Sequence, residues 1–292
     1  MIWKMNKTEN YHIPVLLEPS INGLDIQSNK LYVDVTFGGG GHSKVISDKL
    51  NGSGHLYVFD QDADAQKNAW KASNFTFIPS NFKYMTNHLH ALGVKKVDGI
   101  LADLGVSSHQ FNEFERGFSF RSDAFLDMRM NQHASLSASE VINQYEEKDL
   151  LRVFREFGEL KNAYKVASRI VLKREEGKID STHKLMNAIQ DMAPAKKRNQ
   201  FLAQVFQAIR IEVNQELEVL KSFLLQCEKL LNVNGRLVVI SYHSLEDRLV
   251  KNFFKKGDFS GMEQKDFFGH SQKSFDEVNR KVIVPDEEEL KR

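Results

Sequence analysis

"DVTFGGGGHSKVI", residues 34–46, sets four consecutive glycines between a short apolar run and a stretch able to open a helix. Glycine loses more conformational freedom on folding than any other residue, so four in a row need a reason. A turn of bare backbone lets a ligand come close, and a phosphate, a dinucleotide and a methyl donor all qualify. A tight turn that holds nothing is the remaining reading. The order strand, turn, helix is already the opening unit of an α/β sheet.

Outward from this stretch, short apolar runs alternate with helix-like segments. "KLYVDVTF" (30–37), "GHLYVFD" (54–60), "FTFIPSNF" (75–82) and "VDGILADLG" (97–105) read as strands, with "HSKVISDKL" and "ADAQKNAWKA" as helices between them. That alternation predicts a parallel sheet with crossover helices. Asp34, Asp60 and Asp103 then fall at strand ends along one sheet edge, where ligands of open α/β sheets bind. From 121 to 200 the pattern turns helical. "SASEVINQY" carries a capping box, Ser137 with Glu140, and "EEKDLLRVFREFG" and "NAYKVASRIVLKREEG" follow it. A single long helix is expected over 199–231, with Leu202, Val205, Phe206, Ile209, Val213, Leu217, Leu220 and Leu224 at spacings of three and four. "NGRLVVISYHS" (234–244) supplies a turn and a fifth strand. The predicted architecture is an α/β domain (1–110 and 201–292) interrupted by an all-helical insertion (111–200).

The 292 residues, 41% hydrophobic, suffice for a sizeable core, and the net charge of +1 confines any nucleic-acid surface to a local patch. One cysteine, Cys227, excludes an internal disulfide and a cysteine-rich zinc site, which fits a reducing compartment; no metal is expected. "MIWKMNKTENYHIPVLL" lacks the apolar core of a secretory signal, and runs such as "LVVI" (237–240) are too short to span a bilayer, so a cytoplasmic protein without membrane contact is expected.

The glycines match no P-loop, since no Gly-Lys-Ser/Thr follows them. Gly38 and Gly40 fill two places of a dinucleotide fingerprint, but Ser43 stands at the third. Asp60, twenty positions after Gly40, suits the ribose hydroxyls of either NAD or S-adenosylmethionine. Carboxylates such as Asp34 and Asp103 beside the ligand favour a cationic sulfonium and would repel a pyrophosphate.

Further stretches carry a resemblance. "HIPVLL" (12–17), "DVTFGGGGHS" (34–43), "DLGVSSHQ" (103–110), "RGFSF" with "LDMRM" (116–130), "FQAIRIEVNQEL" (206–217) and "VISYHSLEDRLVK" (239–251) occur in order over nearly the whole chain. They resemble the ribosomal RNA small subunit methyltransferase H family, also called MraW. The resemblance implies a Rossmann-like class I S-adenosylmethionine-dependent methyltransferase with an RNA-binding helical insertion. It also implies methylation of the exocyclic N4 of one 16S rRNA cytidine near the ribosomal P site, with the small ribosomal subunit as partner. Donor-binding positions then carry over as Gly40, Gly41, His42, Asp60, Phe82, Asp103 and Gln110. Two departures stand out: Phe125 occupies a place usually held by proline, and the chain stops at "EEELKR", short of the arginine-rich tail common in relatives.

Methyl transfer to an amine asks for collinear nitrogen, methyl and sulfur, and for an acceptor that tightens on the amine as charge develops. Asp103 is the candidate acceptor, with donor contact as its rival role. "DLGV" lacks the Pro-Pro-aromatic motif of other amino methyltransferases, so the base is stacked by something else. His243, beyond the fifth strand, is a second catalytic candidate, while Ser244 with Asp247 fits a helix N-cap. Phe111, Phe118 and Phe120 form either an aromatic wall for the base or core. Between 161 and 210 there are 11 Lys/Arg against 4 Asp/Glu. Within that stretch Lys196, Lys197 and Arg198 are the candidate phosphate contacts. Arg210 and Asn214, four apart on the expected long helix, serve either RNA or a polar stripe against the insertion. The sequence permits a homodimer without requiring one. Two other classes remain open on residues alone: a non-catalytic RNA-binding assembly factor with a vestigial donor pocket, and an NAD-dependent oxidoreductase.

Overall fold

The computed structural model describes residues 14–105, 116–262, 273–279 and 281–289. Five strands, β1 (Leu31–Asp34), β2 (His55–Phe59), β3 (Phe75–Ile78), β4 (Val97–Asp103) and β5 (Leu231–Ile240), form one sheet in the order β3-β2-β1-β4-β5. Every neighbouring pair is parallel. The strands carry near-continuous apolar runs because both sheet faces are covered, and Val33, Val58, Ile100 and Leu101 are fully buried. Helices α1 (Leu17–Leu24), α2 (Gly41–Leu50) and α3 (Met85–Ala91) alternate with them. The chain builds β1, β2 and β3 outward in one direction and then returns to lay β4 on the other side of β1. Asp34 pairs with Val58 on one flank and Leu101 on the other, so the reversal falls at the β1/β4 boundary. In an open parallel sheet that point opens the ligand crevice.

Among the described residues seven further α-helices follow: α4 (Ala138–Gln144), α5 (Glu147–Glu156), α6 (Ala163–Glu176), α7 (Thr182–Ile189), α8 (Arg198–Asn214), α9 (Glu216–Leu230) and α10 (Ser244–Lys256). The chain divides into two compact units, residues 1–105 with 222–292 and residues 106–221. The second division falls later than the 200/201 boundary read from the sequence. The reason is α8, whose Phe201, Leu202, Val205, Phe206 and Ile209 are buried in the core of the second unit with Val141, Leu150, Phe154, Val166 and Leu185. The capping box of α4 forms as expected, Ser137 accepting from the Glu140 amide and Glu140 from the Ser137 amide.

The long helix expected over 199–231 is two helices. Gln215 closes α8 in the left-handed region, φ 52°. The cause is Asn214, whose amide donates to the carbonyls of Met128 and Arg210 and accepts from the Met130 amide. Arg210 grips Glu216 across the break with two bonds of 2.9 and 3.0 Å. Arg210 and Asn214 thus spend their polar groups on protein, which is the stripe reading rather than the RNA one. Phe118 and Phe120 are likewise core of the second unit: Phe118 is buried under the Arg116 guanidinium, and Phe120 meets the Phe206 ring edge-on. Phe111 lies outside the described residues. At Phe125 the segment 124–126 bridges to 180–182 through Leu126 to Asp180 and Thr182 to Ala124 backbone bonds, an extended geometry that needs no proline.

Candidate active site

The site grows from the carboxyl edge of the sheet. Asp34 ends β1 fully buried, and its two oxygens accept from the Ser43 hydroxyl at 2.5 Å and the Thr36 amide at 3.0 Å. It therefore clasps the strand end to the first turn of α2 rather than facing a ligand. Thr36 in turn accepts from the Asp103 amide at 2.7 Å, tying the ends of β1 and β4 together.

Between them lie the four glycines. Gly38 and Gly40 have φ of 50° and 78°, which side-chain-bearing residues rarely adopt. A Cβ at Gly41 would sit 2.3 Å from the Pro14 ring. Unlike at Gly40 and Gly41, a Cβ at Gly39 meets no described atom within 4 Å. Gly39 lies beside the first turn of α2, whose N-cap Gly40 offers no side-chain oxygen. A helix N-terminus left this way suits an anionic group such as a carboxylate.

Asp60 follows β2 and accepts from the Gly38 and Asp62 amides, both at 2.8 Å. Burial, with Asp62 and Asp34 nearby, pushes it up to about 6. Phe82, after β3, packs edge-on against Phe223 at 5.3 Å. Asp103 ends β4; its Oδ1 accepts from the Tyr242 hydroxyl at 2.8 Å, and its Oδ2 lies 3.8 Å from His42 Nδ1. Burial pushes Asp103 up to about 7, with Asp34 and Glu246 adding to the rise. Burial lowers the buried His42 imidazole, so the ring is neutral at pH 7, and its Nε2 has no hydrogen-bond partner among the described residues. No Lys or Arg among the described residues pairs with Asp34, Asp60 or Asp103. Such a set of low-dielectric carboxylates with no cation paired to them among the described residues, beside a glycine turn, matches a ligand that brings its own positive charge.

The profile of the MraW methylase family matches residues 9–292. The chain belongs to this family. MraW relatives include the ribosomal RNA small subunit methyltransferase H of Flavobacterium johnsoniae, 54% identical over 98% of this chain and 95% of its own length. Those of Christiangramia forsetii and Phocaeicola vulgatus are 53% and 52% identical, each over 97% of this chain and 93% of their own. A solved putative methyltransferase from an antibiotic biosynthesis pathway of Anabaena variabilis covers 70% of this chain and 88% of its own at 13% identity, with a TM-score of 0.27. At that score the likeness says nothing more about this MraW chain.

Gly40, Gly41, His42, Asp60 and Asp103 stand at the carboxyl ends of β1, β2 and β4, and Phe82 follows that of β3, whereas Gln110 lies outside the described residues. His243 is at the same edge but serves as the N-cap of α10, its Nδ1 accepting from the Glu246 amide; the cap is this residue and not Ser244. Lys196, Lys197 and Arg198 are exposed in the second unit, with no ion pair among the described residues. The residue that sequence reasoning missed is Tyr242. The available signal was an aromatic two residues after the fifth strand, in "ISYHS".

Proposed function

We propose that this protein methylates the exocyclic N4 amine of a 16S rRNA cytidine near the P site of the small ribosomal subunit, using S-adenosylmethionine as donor. The observation that carries the reading is the pair Asp60 and Asp103, half-buried with no cation paired to them among the described residues, on either side of the glycine turn. The residues fit the donor. The buried, unpartnered His42 Nε2 and a helix N-terminus without a side-chain cap suit a polar amino-acid end, and Asp60 suits two ribose hydroxyls. The carboxylates offset the charge of a sulfonium.

Bound S-adenosylmethionine supplies a methyl group made electrophilic by its positive sulfur. The protein's own part is to hold the amine in line and to take up its proton, and Asp103 is the acceptor. The relatives' names support rRNA as substrate. Charge supports the second unit as the RNA-binding part. Of its cations, Arg169, Lys173, Lys184 and Arg210 are paired with carboxylates, and Arg174 is held by the Ile142 and Tyr145 carbonyls. Lys196, Lys197 and Arg198 are consecutive, exposed and without an ion pair among the described residues, which favours them as phosphate contacts.

The test is transfer of a tritiated methyl group to small subunits from a strain lacking the enzyme, followed by nucleoside analysis. N4-methylated cytidine is expected, and Asp60→Ala removes it. No labelling by the parental protein, with salt-sensitive RNA binding intact, would instead make it a non-catalytic assembly factor.

A further inference from the structure

Tyr242 combines two properties that set it apart at the sheet edge. The residue is 53% exposed, an unusual state for an aromatic beside a buried polar cluster, yet its hydroxyl is fixed to Asp103 Oδ1 at 2.8 Å. One side of the ring is packed on Gly105: a Cβ there would come within 3.3 Å of Tyr242 Cδ2, and Gly105 is held at φ 91°. The backbone under Tyr242 is pinned as well, its amide donating to Glu246 Oε2 at 3.0 Å while Glu246 is itself held by the His243 cap. The exposed aromatic surface is therefore rigid and stands next to the acceptor carboxylate.

A flat heterocycle presenting an amine to Asp103 needs such a surface, because nothing in "DLGV" supplies an aromatic. We propose that Tyr242 is a substrate-contacting residue for the methyl-transfer reading above, stacking the target base on its exposed ring while its hydroxyl orients Asp103 so that Oδ2 faces the amine. In the step this serves, the amine nitrogen pair forms the new N–C bond, the methyl–sulfur pair leaves with sulfur, and one amine proton passes to Asp103. The hydroxyl also favours the ionised carboxylate by donating to it. Among the described residues, the other titratable groups around that carboxylate are Asp34 from β1, Glu246 from α10 and the neutral His42 from α2. Desolvation of its hydroxyl end and the Asp103 carboxylate raise the Tyr242 phenol above its ordinary range, so it remains the donor while the ring stays exposed.

The experiment compares parental protein, Tyr242→Phe and Tyr242→Leu in the methyl-transfer assay across pH, with donor affinity and melting temperature measured on each. Tyr242→Phe keeps the ring: KM for RNA is expected within about 2-fold of parental while kcat falls about 10-fold. The acid limb of its pH–rate profile moves to higher pH, because the carboxylate has lost a donor that favours ionisation. Tyr242→Leu also loses the stacking face, and its KM rises about 10-fold or more. If Tyr242→Leu fails to fold, the limb shift in Tyr242→Phe decides alone. A Tyr242→Phe enzyme with parental kcat and an unmoved acid limb overturns the proposal while leaving methyl transfer intact. A parental protein that labels no RNA overturns both.

Discussion

At the residue scale, Asp60 and Asp103 give the protein a pH dependence whose sign follows from their burial. Both bind a proton more readily in the folded chain than the ordinary carboxylate value of 3.8 allows, with folded values of about 6 and about 7. The folded state therefore holds more protons than the unfolded state between those limits, and the ligand-free protein loses stability as pH rises through that window. Asp103→Asn removes the cost of burying the charge. Its melting temperature at pH 8 should exceed the parental one by roughly 2–4 °C for each kcal/mol relieved. The same substitution removes the proton acceptor, and kcat should fall by about 100-fold or more. Parental activity should decline as pH drops below about 7, because protonated Asp103 no longer accepts from an amine. Donor affinity, read by calorimetry, should weaken below about 6 as Asp60 protonates. At this scale the sequence was partly legible. Asp60 and Asp103 could be placed because strand ends are predictable from apolar runs. Asp34 could not be told from them, since only the packed structure shows it fully buried against Ser43 and Thr36 while Asp60 and Asp103 stay partly exposed.

At the element scale, the junction between α8 and α9 shows where periodicity misleads. Apolar positions continue at spacings of three and four through Val213 and Leu217, so no gap marks the break. What ends α8 is polar: Asn214 makes three bonds to the 128–130 loop and to its own helix, and Gln215 takes a left-handed conformation. Gln215→Gly should relieve that conformation and stabilise the protein by roughly 0.5–1 kcal/mol in a denaturant titration. Asn214→Ala should cost about 2–3 kcal/mol, since it strands partly buried donors and acceptors of the Met128 and Met130 backbone. RNA binding should keep its salt dependence in both variants, because neither residue spends its polar groups outward. By contrast, the α4 capping box was legible from four residues, because a cap is a local arrangement that needs no distant partner.

At the scale of the whole molecule, a net charge of +1 means that affinity for RNA rests on a local patch. Replacing Lys196, Lys197 and Arg198 together by alanine should reduce the magnitude of the log–log salt slope of RNA binding by about 2, near 0.7 for each phosphate that is no longer neutralised. Donor affinity should not change. The parallel sheet was readable from alternation alone. The assignment of α8 was not, because an amphipathic helix declares that it has a buried face without saying which core will bury it.

The 2.8 Å bond from Tyr242 to Asp103 joins residues 139 positions apart, and between them runs the entire helical insertion. β4 and β5, which carry the two residues, are hydrogen-bonded neighbours, so the excursion leaves the sheet and returns to it at adjacent strands. A loop anchored in this way can be lengthened or exchanged at small thermodynamic cost, since each doubling of length adds only about 0.6 kcal/mol of closure entropy. The chemistry and the choice of substrate are thus separable parts of one chain. Such a scaffold could accept a different recognition module with its reacting centre undisturbed.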